Sequence, residues 1–322
     1  MRILEMAILV IALTIPALAD AHIDWQRGHD MPSARDSLGF GIVDGMLVVA
    51  GGAYWKDEQK HYSNQTIAYS PKTGKWVQLP FLPKPGAYGA SAVYKGQLLV
   101  AGGANETSPL ASCIRLVKKN GAFRWERLPD LPHPVSGARG AVIDGKFLVI
   151  SGSWGEGEAG FREASPTVLE LDMANPKAWK ERPIPGGFAA RTGIASAVIG
   201  DGLFVFGGHG VQKDGALGNF DDAWVMQGAT WKRISNPPVP SRWTVALPLD
   251  GARIGLFGGY GEGFLAQTLI YDTDKDTYTQ STALPLAVCN QAAGIIGDTI
   301  YLAGGEDIAR HRASALFIGT PK

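Results

Sequence analysis

The chain has little cysteine, no excess of charge of either sign and no recognisable metal or nucleotide motif. Only 2 of its 322 residues are Cys, which excludes a disulfide framework. Lys and Arg number 30, as do Asp and Glu, so the basic footprint of a nucleic-acid-binding protein is absent. No His, Cys or carboxylate cluster has metal-ligand spacing, and there is no Gly-x-Ser-x-Gly elbow or phosphate loop. We therefore expect no metal, no cofactor and no nucleic-acid partner.

One apolar run stands at the start of the chain, and we interpret residues 1–21 as a signal peptide. Arg2 provides a positive start, residues 6–15 are apolar or small except for Thr14, and residues 17–19 (Ala-Leu-Ala) form a small-x-small cleavage site. Cleavage at residues 19–21 is a second option, and a short uncleaved anchor is the alternative. We expect a periplasmic or secreted domain of residues 22–322, with no membrane span after cleavage and an oligomeric state that the sequence leaves open.

Glycine is abundant, with 42 residues where average usage of about 7% would give roughly half that number. There is no collagen period and no low-complexity tract. The glycines therefore separate many short elements, which favours an all-β chain with many turns.

Three markers repeat along the chain with a period of about 50 residues. β-runs end in a pair of small residues at spacings of 51, 49, 56, 51 and 46 residues, and an aromatic series recurs in step at 51, 49, 54, 52 and 47. A proline-containing segment follows each aromatic residue. We interpret both the pairs and the aromatics as structural. The pairs are Gly51-Gly52, Gly102-Gly103, Ser151-Gly152, Gly207-Gly208, Gly258-Gly259 and Gly304-Gly305, and the aromatics are Trp25, Trp76, Trp125, Trp179, Trp231 and Tyr278.

Each unit contains four strand signals, and six such units resemble kelch repeats, which implies a six-bladed β-propeller. The first element after the leader, residues 24–27, is a fourth strand, and the last unit stops after its third strand, residues 314–318. We therefore predict a single all-β domain in which the N-terminal strand completes and closes the sixth blade.

Three arginines share one position in the repeat. Arg35, Arg191 and Arg242 each precede the first residue of their glycine pair by 16 residues, at the mouth of strand one. Because Arg binds carboxylates through two parallel hydrogen bonds, the three could form an anion clamp. The alternative is a structural arginine bonded to backbone carbonyls, and the sequence does not decide between them.

The last unit carries a further candidate site. Glu306 follows the glycine pair directly, and Arg312 lies six residues later, beyond Arg310. A carboxylate beside Arg can serve as a general base. The alternative is a surface salt bridge.

Residues 82–91 and the Glu306–Arg312 spacing resemble the bacterial kelch sialic-acid mutarotases, also called N-acetylneuraminate epimerases, in their cyclically permuted branch. The resemblance implies a cofactor-independent isomerase that converts α- to β-sialic acid, with Glu306 and Arg312 catalytic. Arg35, Arg191, Arg242 and Arg310 are then expected to bind the sugar acid. The family's usual Pro-Gly between the pair is replaced here by residues 309–311 (Ala-Arg-His). The alternatives are a non-catalytic secreted module that binds glycan or protein and, less favoured, a copper radical oxidase.

Overall fold

A computed structural model describes residues 22–154, 164, 166–184 and 187–322. Residues 1–21, on which the signal-peptide prediction falls, lie outside the described residues. Every regular element in the described part of the chain is a β-strand. Within those residues there is also no helix long and apolar enough to cross a membrane.

Six antiparallel sheets of four strands each form the blades, so the predicted all-β, six-bladed propeller is confirmed. The first strands of neighbouring blades contact one another around a central channel. From the axis outward, the strands are Gly39–Val43, Met46–Ala50, Thr66–Ser70 and Lys75–Leu79 in blade 1; Ala90–Tyr94, Gln97–Ala101, Cys113–Lys119 and Ala122–Leu128 in blade 2; Arg139–Ile143, Lys146–Ile150, Thr167–Asp172 and Trp179–Pro183 in blade 3; Ala195–Ile199, Gly202–Phe206, Ala223–Gln227 and Thr230–Ile234 in blade 4; and Val245–Pro248, Arg253–Phe257, Thr268–Asp272 and Thr277–Gln280 in blade 5.

Blade 6 is built from both ends of the described chain. Its strands are Ala292–Ile296, Thr299–Ala303 and Leu316–Pro321, with Ile23–Arg27 as the outermost strand. Trp25 on this outer strand packs edge-on against Phe257 of blade 5, with 5.9 Å between ring centroids. The N-terminal strand therefore covers an edge of the sheet and also joins blade 6 to blade 5.

A closed ring of backbone hydrogen bonds surrounds the axis. One residue with positive φ precedes the first strand of each blade, and its N–H donates to the carbonyl of the equivalent residue in the preceding blade at 2.7–3.3 Å. These six bonds link all the blades at one level of the channel. We call these residues the axial ring; they are Ser37, Tyr88, Gly137, Gly193, Trp243 and Asn290.

The glycine pairs form the next contact between blades. The N–H of Gly52 donates to the carbonyl of Gly86 in the following blade at 2.8 Å. Gly51 lies so close that a Cβ added to it would stand 2.3 Å from that same oxygen. In blade 3 the first member is Ser151, whose hydroxyl donates to the equivalent carbonyl at 2.6 Å. The repeated small pair is therefore required by the approach of neighbouring backbones.

The repeated aromatics connect the blades at their outer edges. The indole N–H of Trp76 donates to a backbone carbonyl just after the outer strand of the preceding blade, at 2.8 Å. Trp125 and Trp179 do the same at 3.0 and 2.8 Å. Tyr278, which replaces Trp in blade 5, makes the equivalent bond with its hydroxyl at 2.8 Å. The aromatic marker thus reflects packing and hydrogen bonding between blades.

Within the described residues, three β-hairpins form in the connections between second and third strands. They are Ala53–Lys56 with Gln59–Tyr62 (hairpin 1), His209–Val211 with Leu217–Asn219 (hairpin 4) and Glu306–Ile308 with His311–Arg312 (hairpin 6). All three start directly after a glycine pair, so they stand on the face of the propeller that carries the axial ring.

Candidate functional site

The channel is floored at the axial ring by two aromatic residues from opposite blades. Tyr88 of blade 2 and Trp243 of blade 5 approach to 5.9 Å between ring centroids. Gly137 and Gly193 leave space for the indole, since a Cβ added to Gly193 would lie 2.9 Å from it. We call the space above this floor, between the hairpins, the mouth.

Glu306 and Arg312 face each other across hairpin 6. The Arg312 Nη1 lies 2.7 Å from Glu306 Oε1, and the backbone N–H of Arg310 also donates to that oxygen at 3.2 Å. Only 4% of the Arg312 side chain is exposed, compared with 25% of the Glu306 side chain. The structure thus brings together the two residues that the spacing singled out, and it leaves Glu306 as the member that solvent can reach.

A second carboxyl group, which the sequence interpretation missed, contacts the same guanidinium. Arg312 Nε lies 2.8 Å from Oδ1 of Asp36, whose side chain is 2% exposed. Burial raises the pKa of Asp36 to about 6, aided by the charge of Glu306 and opposed by that of Arg312. Arg312 is therefore a buried bridge between two carboxyl groups rather than a free cation.

Tyr88 and Lys60 form a second polar pair at the mouth, also missed from the sequence. Lys60 of hairpin 1 donates from Nζ to the Tyr88 hydroxyl at 3.0 Å. Burial raises the pKa of Tyr88 well above its usual value, and the nearby charge of Asp36 acts in the same direction. The phenol is therefore protonated at neutral pH. Only the tertiary structure brings these residues together, because they lie 28 positions apart on different blades.

Arg242 also lies at the mouth, but not at the position the repeat count assigned to it. Trp243 is the axial-ring residue of blade 5, so Arg242 is equivalent to Asp36 rather than to Arg35. Its Nη1 lies 3.0 Å from Nδ1 of His209, and its guanidinium stacks over the Tyr260 ring at 4.6 Å. Burial lowers the pKa of Arg242, while the charge of Glu306 in the adjacent blade acts to raise it.

Arg35 and Arg191 do not converge with Arg242 on a common site. Arg35 Nη1 donates to the carbonyls of Gly51 and Gln65 in its own blade at 2.6 and 3.3 Å. Arg191 forms a buried ion pair with Asp222 in blade 4, on the opposite side of the axis. The expectation that the three arginines converge on one anion is therefore wrong, because each guanidinium is held by its local surroundings. Arg35 and Arg191 both donate to backbone carbonyls, as the structural alternative expects.

Arg310 lies on the rim of the mouth. Its side chain is exposed, and its Nη1 lies 2.9 Å from Oε2 of Glu58 at the tip of hairpin 1. The guanidinium is 5.2 Å from the centroid of the Trp55 ring. Arg310 thus connects hairpins 6 and 1.

The remaining titratable side chains do not build a metal site within the described residues, where no group of three or more His, Cys, Asp or Glu converges. Cys113 and Cys289 are both buried and free. Cys289 forms an antiparallel β-bridge with Glu306 through two backbone hydrogen bonds of 2.9 Å. The chemistry available at the mouth is that of a carboxylate, a phenol, an ammonium group, an imidazole and guanidinium groups.

Comparison with known proteins points to kelch proteins over most of the chain. No protein-family model matches it. Kelch-like protein 36 from Bos taurus is 24% identical over 278 residues, which cover 84% of this chain and 43% of that protein. N-acetylneuraminate epimerase 1 from Escherichia coli is 31% identical over 92 residues, covering 24% of this chain and 25% of the epimerase. The chain spans less than half the length of the curated relatives it matches first.

Proposed function

We propose that this chain is an exported mutarotase that interconverts the α- and β-anomers of N-acetylneuraminate or a closely related sugar acid. The observation that carries the proposal is the mouth itself, where the solvent-accessible carboxylate of Glu306 and the protonated phenol of Tyr88 lie on the same face. Two further observations support it: the similarity of a short segment to an N-acetylneuraminate epimerase, and the leader-like residues 1–21.

Mutarotation requires one base and one acid. The Glu306 carboxylate accepts the proton of the anomeric hydroxyl, while the Tyr88 hydroxyl donates its proton to the ring oxygen. The bond between the anomeric carbon and the ring oxygen then breaks, leaving a ketone and a chain hydroxyl. After rotation the hydroxyl attacks the other face of the ketone, and both protons return to their donors. The cycle consumes no cofactor.

Lys60 and Arg312 support these two groups. The Lys60 ammonium lies against the oxygen of Tyr88, where negative charge develops as the phenol gives up its proton. Arg312 holds the Glu306 carboxylate in one orientation. Because Asp36 contacts Arg312 from the other side, we assign Arg312 to positioning the base rather than to binding the sugar carboxylate.

Arg242 is the residue that binds the sugar carboxylate in this proposal. It lies at the mouth in blade 5, next to the blade that carries Glu306. Its side-chain hydrogen-bond partners are His209 and Asn219, so no described carboxylate neutralises it through an ion pair. A guanidinium at this place can take the substrate carboxylate through two hydrogen bonds and so orient the anomeric carbon toward Glu306.

A non-catalytic interaction module is the second candidate. It is favoured by the comparison, because the relatives that match most of the chain are kelch-like proteins rather than the epimerase. In that case the mouth binds its ligand without changing the anomeric ratio.

NMR of freshly dissolved α-N-acetylneuraminate, recorded near the pH of slowest spontaneous mutarotation, separates the two functions. We expect the protein to accelerate the appearance of the β-anomer. The Glu306→Gln variant should lose about 100-fold or more of that acceleration, because the amide cannot accept the proton. Glu262→Gln, the same change at an exposed position in blade 5, serves as the matched control. An unchanged anomerisation rate in the presence of the wild-type protein would rule out the mutarotase.

A further inference from the structure

Two equivalent arginines, one in blade 1 and one in blade 4, have different surroundings. Arg35 and Arg191 each donate from Nη1 to the carbonyl of the first glycine of their pair, at 2.6 and 3.2 Å. In blade 4 the charge is neutralised, because Asp222 pairs with the Arg191 guanidinium through both oxygens. Phe220 adds a ring whose centroid is 3.7 Å from the guanidinium carbon. Arg191 thus carries its own counterion.

Blade 1 lacks that counterion. In blade 1 the N–H of the first glycine of the pair donates to the carbonyl of Gln65. In blade 4 the equivalent N–H donates to the carbonyl of Asp222, so Gln65 occupies the place of Asp222. The N–H of Ser63 donates to the carbonyl of the second glycine, as the N–H of Phe220 does in blade 4, so Ser63 occupies the place of Phe220. The Gln65 side-chain oxygen lies 3.2 Å from the hydroxyl of Ser33. A neutral amide and a small hydroxyl therefore replace the carboxylate and the aromatic ring.

The guanidinium of Arg35 is consequently buried with part of its hydrogen-bonding capacity unused. The residue is 1% exposed, and its Nε and Nη2 have no hydrogen-bond partner in the described part of the chain. Burial lowers the pKa of Arg35 to about 10, so it is still cationic at neutral pH. A buried charge without a counterion is costly, and an anion that enters the space beside it would offset that cost.

A cavity of about 620 Å³ provides that space between hairpins 1 and 6. Its arginines are Arg35, Arg310 and Arg312, and no Asp or Glu is among the described residues that line it. Arg310 and Arg312 are paired with carboxylates outside this lining, whereas Arg35 has no ion pair among the described residues. Trp55 and Phe81 are among its aromatic walls, and Phe81 is 53% exposed. Flat apolar side chains of this kind can pack against the ring face of a sugar.

We propose that this cavity binds a small carboxylate-bearing sugar, whose carboxylate takes the place beside Arg35 that the Asp222 carboxylate has beside Arg191. The sugar ring lies against the aromatic wall. Of the residues assigned to the mutarotation above, only Arg312 also lines this cavity. The cavity therefore adjoins the mouth and shares Arg312 with it, and binding there can be measured without reference to the proposed catalysis.

Calorimetric titration with sodium glucuronate tests the site, with glucose as the uncharged analogue. We expect saturable binding of glucuronate by the wild-type protein and no comparable binding of glucose. Gln65→Asp installs in blade 1 the counterion that blade 4 possesses. It should weaken glucuronate binding by about tenfold or more without lowering the melting temperature, because the new carboxylate competes for Arg35.

Gln59→Asp, which adds the same charge at an exposed position of hairpin 1, is the matched control and should bind glucuronate nearly as the wild type does. Three results would each overturn the proposal: no saturable binding of glucuronate by the wild type, equal binding of glucose, or equal weakening by both variants. An affinity that Gln65→Asp leaves unchanged would overturn it as well.

Discussion

Two carboxyl groups share the guanidinium of Arg312, and their surroundings give them different properties. Glu306 is partly exposed at the mouth, while Asp36 is enclosed beneath it. Enclosure opposes ionisation of Asp36, whereas exposure lets Glu306 reach a substrate. The same guanidinium therefore positions one group for proton transfer and partly offsets the charge of another.

The raised pKa of Asp36 has a consequence for stability. Since its folded pKa of about 6 exceeds the ordinary value of 3.8, the folded state binds the proton more tightly. The stabilisation from this proton is complete below about pH 4 and is lost as the pH rises through 6. The wild type should therefore lose on the order of 2 kcal/mol of unfolding free energy between pH 4 and pH 7 that the Asp36→Asn variant does not lose. Urea denaturation of both proteins at the two pH values measures this loss. An equal change in unfolding free energy for both proteins would contradict the prediction.

The pair of Tyr88 and Lys60 predicts a graded loss of catalysis. Tyr88→Phe removes the proton donor and should lower the catalysed rate by about 100-fold or more. Lys60→Met keeps the phenol but removes the ammonium beside it, so we expect the catalysed rate to fall by only about tenfold. We also expect the high-pH limb of the plot of catalysed rate against pH to shift. NMR-detected anomerisation across pH measures both effects. A fully active Tyr88→Phe protein would show that another group protonates the ring oxygen.

At the scale of the element, the glycine pair determines how closely one blade approaches the next. Gly51 and Gly45 have nearly the same positive φ, +67° and +69°, but different neighbours. A Cβ added to Gly51 meets the carbonyl oxygen of Gly86, whereas nothing lies within 4 Å of a Cβ added to Gly45. Comparing substitutions at Gly45 and Gly51 therefore separates the cost of positive φ from the cost of crowding between blades.

Gly45→Ala should cost about 1–2 kcal/mol of unfolding free energy, which is the cost of positive φ alone. Gly51→Ala should cost clearly more, because the methyl group must displace the neighbouring blade. Gly51→Ser should be milder than Gly51→Ala, since the hydroxyl can donate to that carbonyl as Ser151 does in blade 3. Chemical denaturation of the three variants gives the order, and equal losses at both positions would refute the contact argument.

At the scale of the whole molecule, the propeller is held together by interactions that each pass from one blade to the next. The axial ring links all six blades near the axis, and the aromatic series links them at the outer edge. The strand Ile23–Arg27 contributes to this arrangement because Ile23 is buried in the core shared by blades 5 and 6. Removing this strand should therefore destabilise all six blades together.

Deleting residues 23–27 exposes the edge of Leu316–Pro321 and removes the contact between Trp25 and Phe257. We expect a lower melting temperature for the entire protein, still in one transition. Gln26→Ala, a change of a single side chain on the same strand, is the control and should melt nearly as the wild type does. A truncated protein that melts like its parent would show that this strand is dispensable for closure.

The sequence by itself determined the number of blades and the nature of the repeat. Each blade requires small residues where neighbouring backbones approach and an aromatic residue that contacts the neighbouring blade. Because these requirements recur in every blade, the residues repeat along the sequence at a regular spacing. The spacing of Glu306 and Arg312 was equally informative, because a hairpin of that length places its two ends in register.

Only the tertiary structure decided which side chains meet across blades. Arg242 is offset by one residue from the other arginines. Counting from the glycine pair cannot reveal this, because the turn between the first two strands of blade 5, residues 249–252, is longer than its counterpart in blade 1, residues 44–45. The contacts of Asp36 with Arg312 and of Lys60 with Tyr88 join distant segments. The unneutralised charge of Arg35 follows from a contact absent in blade 1 and present in blade 4. Such differences between similar repeats arise from packing across the ring, which no single repeat encodes.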